Sequence, residues 1–166
     1  MSQDELVIDL DTSVGYLLKE AASALRAAME DVLRPLGMTV THYSCLELLA
    51  QRPGSSNSDL ARGAFVTRQS MNVLLQQLER DGVVTRAPEA RVGRALPTRL
   101  TDAGRSALAE ASAAVRGVEL RMLEGLSASE QSQAFRTLRG MTRALRGEGT
   151  GGDAADATDA PDRPAN

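Results

Sequence analysis

Between Thr67 and Asp81 the sequence TRQSMNVLLQQLERD sorts its side chains into two sets at helical spacing. Met71, Leu74, Leu75 and Leu78 form one apolar stripe, and Arg68, Gln69, Asn72, Val73, Gln76 and Gln77 fall opposite it. Arg, Gln and Asn are the side chains that pair bidentately with base edges in a major groove. Thr67 is the expected N-cap, and the positive end of the helix dipole behind it favours a phosphate. Downstream, VVTRAPEARVGRALPTRL carries Arg86, Arg91, Arg94 and Arg99 against only Glu89. Planar guanidinium groups suit phosphates and guanine edges, so the chemistry indicated is contact with a nucleic acid. A solvated polar face beside an exposed basic loop would read the same way, and other features must decide.

Other chemistries find little support. No nucleophile elbow, phosphate loop or paired-carboxylate spacing occurs, so neither an enzyme nor a cofactor is expected. The chain has one Cys and one His, which rules out an internal disulfide and an all-protein Cys/His zinc site. His42 and Cys45 stand at i and i+3, and a protonated imidazole beside a thiol would lower its pKa enough for redox sensing. A free Cys is more often a small buried hydrophobe. Tyr16, His42 and Tyr43 are three polar-tipped rings in a chain with only 2 % aromatics, and they are candidates for a ligand pocket. Ordinary packing, with both hydroxyls at the surface, is the competing reading.

Charge points the same way as the arginines. The net charge of −3 combines −4 in residues 1–11, −4 in residues 147–166 and +5 in the body between them. A basic body suits a polyanionic partner. Lys19 is the sole lysine, so nearly all of that positive charge is guanidinium. With 42 % hydrophobic and 25 % charged residues the chain can bury a core, and no run of 18 apolar residues would span a bilayer. The beginning, MSQDELVIDLD, is acidic where a signal peptide would be basic and then apolar, so a cytoplasmic protein is expected.

The elements that must position these side chains follow from periodicity and caps. A long helix is expected from Thr12 to about Leu36, closed by Pro35 and Gly37. A shorter one runs from about Thr41 to Arg52 and stops at Pro53-Gly54. Ser56 and Asp59 resemble a capping box for a helix through about Gly63, and the helix from Thr67 ends before Gly82. The period then changes: Leu96, Thr98 and Leu100 alternate with Ala95, Pro97 and Arg99, and Pro97 confines that run to an edge hairpin. Two more helices are expected, from Thr101 to about Leu123 and from the Ser127/Glu130 capping box to about Arg146. The stretch GEGTGGDAADATDAPDRPAN has no apolar period and reads as a disordered tail. Two short helices, a sharp connector, a helix with a polar outer face and a basic hairpin make a winged helix-turn-helix in a mainly α fold.

The stretch PGSSNSDLARGAFVTRQSMNVLLQQLERDGVVTRAPEARVGRALPTRLTDAGR, with the long helices on either side, resembles the MarR family of bacterial transcriptional regulators over about residues 12–146. Its most specific pieces are LERDGVVTR at the end of the recognition helix and GRALPTRLTDAGR at the end of the wing. The resemblance implies a homodimer that binds a pseudo-palindromic operator in double-stranded DNA, usually as a repressor, and lets go when a ligand or oxidant changes the spacing of its lobes. It implies major-groove contacts at Thr67, Arg68, Gln69, Asn72 and Val73, with Gln76 on the same face, and a minor-groove contact at Arg94 with Arg91 nearby. It also implies an effector pocket between dimerisation core and DNA lobe, where Tyr16, His42 and Tyr43 fall. The chain departs from the family twice. The run Arg91-Val92-Gly93-Arg94 lacks the acid that braces the wing arginine in many members. Phe65 replaces a turn residue that is often Gly, which implies a tighter or repacked connector.

The expected organisation is an acidic arm (1–11), a dimerisation helix (12–36), a winged helix-turn-helix lobe (37–100), two dimerisation helices (101–146) and the acidic tail (147–166). Leu17, Leu25, Val115, Val118, Phe135 and Leu138 are expected to meet a second copy. The expected function is sequence-specific regulation of transcription, as a repressor released by a small aromatic or weakly acidic ligand. The alternatives are a redox regulator using Cys45 and a winged-helix adaptor that binds protein instead of DNA.

Overall fold

The structure is a computed structural model and describes residues 9–86 and 97–148. The chain divides into two compact units, Met1–Met122 and Leu123–Asn166.

In the first unit, α1 (Val14–Leu33) starts at Ser13, whose hydroxyl accepts from the Tyr16 N–H, and passes into a 3-10 turn (Arg34–Leu36) where Pro35 ends the α-helical ladder. α2 (Val40–Gln51) is capped by Thr39, and α3 (Asn57–Gly63) by the reciprocal Ser56/Asp59 box. α4 (Arg68–Arg80) begins at Thr67, whose hydroxyl accepts from the Ser70 N–H at 3.1 Å. Strands β1 (Val84–Arg86) and β2 (Thr98–Leu100) then pair antiparallel, Val84 opposite Leu100 and Arg86 opposite Thr98. Over the described part of the run the expected alternation holds, with Thr98 and Leu100 buried and Pro97 and Arg99 exposed; Ala95 and Leu96 lie outside the described residues. α5 (Asp102–Met122) closes the unit. In the second unit, α6 (Ala128–Arg146) starts at the Ser127/Glu130 box and buries none of its residues.

Two apolar clusters hold the first unit. Leu46, Leu49, Leu60, Met71, Leu75, Leu78, Val84, Leu100 and Leu108 pack α2, α3, α4, the strands and α5 together. Leu33, Ala111 and Val115 form the other, with Met29, Val32 and Leu36 around them. Met38 and Tyr43 touch both. Of the residues expected to meet a second copy, Val115 and Val118 are buried, Leu25 is partly buried, and Leu17, Phe135 and Leu138 are exposed.

The connector between α3 and α4 differs from a repacked turn. α3 ends with the Val66 N–H donating to Ala61 O at 3.0 Å and the Phe65 N–H to Arg62 O at 3.3 Å. That pair of bonds is a Schellman closure, which demands a left-handed residue at its penultimate position. Phe65 supplies it with φ of +57°, and its ring is 85 % exposed instead of tucked inside.

Candidate nucleic-acid interface

α4 is held from behind and free in front. Met71, Leu74, Leu75 and Leu78 are buried. The Asn57 side-chain amide donates to Arg68 O at 3.1 Å, which pins the first turn of α4 to the start of α3. On the opposite face Thr67, Arg68, Gln69, Val73 and Gln76 are exposed and Asn72 is partly buried. The structure therefore brings together all six α4 candidates on one rigid surface. Gln77 is engaged along its own helix, donating to Asp81 and accepting from Arg80 at 2.7 Å.

The hairpin arginines divide. Arg99 points outward. Arg86 turns inward instead, its side chain 17 % exposed and its Nε 3.8 Å from the Glu79 carboxylate on α4. Arg91 and Arg94 lie outside the described residues.

His42 and Tyr43 are neighbours in sequence and face different spaces, because successive residues on a helix are turned by about 100°. His42 lines a cleft of about 310 Å³ with Thr39 and Thr41 of α2 and Ser70, Val73, Leu74 and Gln77 of α4. Burial holds its imidazole below the usual pKa, against the opposing pull of Asp81. Tyr43 lines a second cavity of about 450 Å³ between α1, α2 and α5. Leu25, Met29, Val115 and Met122 supply its apolar wall, and Glu47, Ser112, Arg116 and Glu119 its polar edge. Burial raises the Tyr43 phenol above its ordinary value, outweighing the opposing influence of the Ser112 hydroxyl. Tyr16 lies on α1, 45 % exposed, and lines neither space. Ser112, Arg116 and Glu119 escaped sequence reasoning, since nothing local marks one face of α5 as a cavity wall.

Cys45 is fully buried in the larger cluster, and burial pushes its thiol up to about 12 although Arg86 opposes the shift. At neutral pH it is a protonated hydrophobe, without the thiolate that oxidation requires. His42 does not activate it.

A capped, exposed helix beside an antiparallel hairpin, carried between longer helices, defines a winged helix-turn-helix protein. Residues 36–95 match the MarR family model. The chain is 41 % identical over 128 residues to the HTH-type transcriptional repressor Rv2887 of Mycobacterium tuberculosis, a match spanning 77 % of this chain and 92 % of the relative. The chain belongs to the MarR family. Among solved structures, that of Rv2887 in complex with DNA aligns at a TM-score of 0.65 with 37 % identity, over 78 % of this chain and 98 % of the other. That of Rv2887 with salicylic acid aligns at 0.65 with 40 % identity, over 78 % and 96 %. Members of the family are transcriptional regulators and not enzymes. No helix among the described residues is long and apolar enough to cross a membrane.

Proposed function

We propose that this protein is a cytoplasmic, homodimeric repressor that binds a pseudo-palindromic operator and releases it when a small aromatic acid occupies the cavity beside Tyr43. The observation that carries the reading is the outward face of α4, where Thr67, Arg68, Gln69, Val73 and Gln76 stand exposed on a helix whose other side is fixed in the core. By the family resemblance, Arg94 would enter the minor groove, with Arg91 as a further wing contact. Dimerisation uses helices from both ends of the chain. Val14, Leu17 and Leu18 of α1 and Phe135, Leu138 and Leu145 of α6 expose apolar surface that a second copy would cover. Two-fold symmetry then sets the recognition helices about 10–10.5 base pairs apart.

The cavity supports the ligand class. Its apolar wall accepts a ring, and Arg116 at its edge offers a cation for a carboxylate. The related repressor Rv2887 is known in complex with salicylic acid. Release requires that the acid bind the DNA-incompetent dimer more tightly than the competent one.

The test is fluorescence anisotropy on DNA from upstream of the protein's own gene, at two salt concentrations, with and without salicylic acid. Gln69→Ala and Asn72→Ala should each cost about 1–3 kcal/mol at particular operator positions. Arg94→Ala should weaken binding to every sequence and flatten the salt dependence. Binding that lacks sequence preference and salt dependence would overturn the reading in favour of a protein-binding adaptor.

A further inference from the structure

Phe65 is the one non-glycine residue among the described residues with a positive φ. The left-handed region brings Cβ against the backbone, so a large side chain is disfavoured there and Gly or Asn is the ordinary choice. A buried ring would offset that cost, but this ring is 85 % exposed. The apolar contact that accompanies such a closure comes from the next residue, Val66, which packs against the larger core cluster. The fold therefore gains nothing from the Phe65 side chain, and it uses one of only two phenylalanines in the chain. Strain kept at a position where the structure has no use for it points to a use outside the chain.

The position says what that use is. Phe65 stands two residues before Thr67, the N-cap of α4. In sequence it lies between Arg62, which is exposed and ion-paired with Asp59, and the exposed Arg68. An exposed ring three residues from the Arg68 guanidinium, at the positive end of the α4 dipole, suits a partner that is anionic with local apolar patches, and poorly suits an apolar protein surface. In a helix-turn-helix the N-terminal end of the second helix enters the major groove, so the turn feeding it meets the groove edge. The apolar surface available there is the thymine methyl group and the face of the deoxyribose.

We infer that Phe65 is a DNA contact, its ring seated on the apolar surface of the duplex where α4 enters the major groove. The inference rests on the operator-binding reading above. It also implies that the turn has given up stability for affinity, and this makes it testable by two measurements with opposite signs.

Phe65→Gly and Phe65→Asn keep the left-handed turn and remove the ring, while Phe65→Tyr keeps the ring. Each full-length variant is measured for Tm and for operator affinity, with Gln69→Ala alongside. The Gly and Asn variants should unfold at or above the parent Tm, by up to about 2–4 °C. Their operator affinity should fall about tenfold, equivalent to burying roughly a third of a phenyl ring, and Phe65→Tyr should stay within about twofold of the parent. Parental affinity in the Gly and Asn variants would overturn the contact, provided Gln69→Ala still weakens operator binding. A clear drop in their Tm would also overturn it, by showing that the ring serves the fold. Failure of the parent and Gln69→Ala to differ on any operator would instead count against the operator-binding reading itself.

Discussion

Gly104 lies in the first turn of α5, where a Cβ would stand 2.1 Å from the carbonyl oxygen of Val83, at the base of the hairpin. Ordinary contact needs more than 3 Å, so Gly104→Ala must push the two backbones apart by about 1 Å. The bonds at that point cannot stretch so far. Val83 O accepts from the Thr101 N–H at 3.1 Å, and the Thr101 hydroxyl lies 2.7 Å from Gly82 O and 3.0 Å from Val83 O while accepting from the Gly104 N–H at 3.0 Å. Losing two or three of these at about 1 kcal/mol each outweighs the gain of about 1 kcal/mol that Ala brings to a helix interior. The net loss of about 1–2 kcal/mol corresponds to a Tm lower by about 2–8 °C for a chain of this size. Gly117, in the same helix, has open space where a Cβ would stand. Gly117→Ala should therefore gain what helix propensity offers, raising Tm by about 2–4 °C. Thermal unfolding followed by far-UV circular dichroism, at one protein concentration, measures both. A Gly104→Ala variant at or above the parent Tm would show instead that helix propensity outweighs the contact with Val83.

Two further outcomes follow from buried titratable groups. His42 is the only histidine and its folded-state pKa is lowered by burial, so the unfolded chain binds its proton first as pH falls. The Tm should drop between about pH 7.5 and 5.5, with a smaller drop in His42→Gln, and identical profiles for the two proteins would count against the burial. Cys45, with its thiol pushed up to about 12, should resist alkylation until the chain unfolds, and peroxide should leave operator binding unchanged in the parent as in Cys45→Ser. Prompt labelling of the native protein, or peroxide release abolished by Cys45→Ser, would restore redox sensing.

The helices, their caps and the face of α4 were legible in the sequence because each is decided within a turn or two of chain. Thr67 reaches the Ser70 N–H, Ser56 and Asp59 cap each other, and Met71, Leu74, Leu75 and Leu78 share a stripe through helical period alone. The hairpin was legible for the same reason, since Thr98 and Leu100 alternate with Arg99 at the period of a strand. What decided the rest is contact between residues far apart in the chain. The sequence grouped His42 with Tyr43, yet packing of α4 on one side and α5 on the other assigned them to different spaces. It left Ser112 unmarked, although its hydroxyl comes within 3.4 Å of the Glu47 carboxylate across 65 residues. Phe65 was visible as an odd residue in a turn, but only the Schellman closure of α3 forced its left-handed φ and turned the ring outward. Local hydrogen bonds and periodicity are written residue by residue; which faces meet depends on how the helices pack, and that is settled only when the chain is folded.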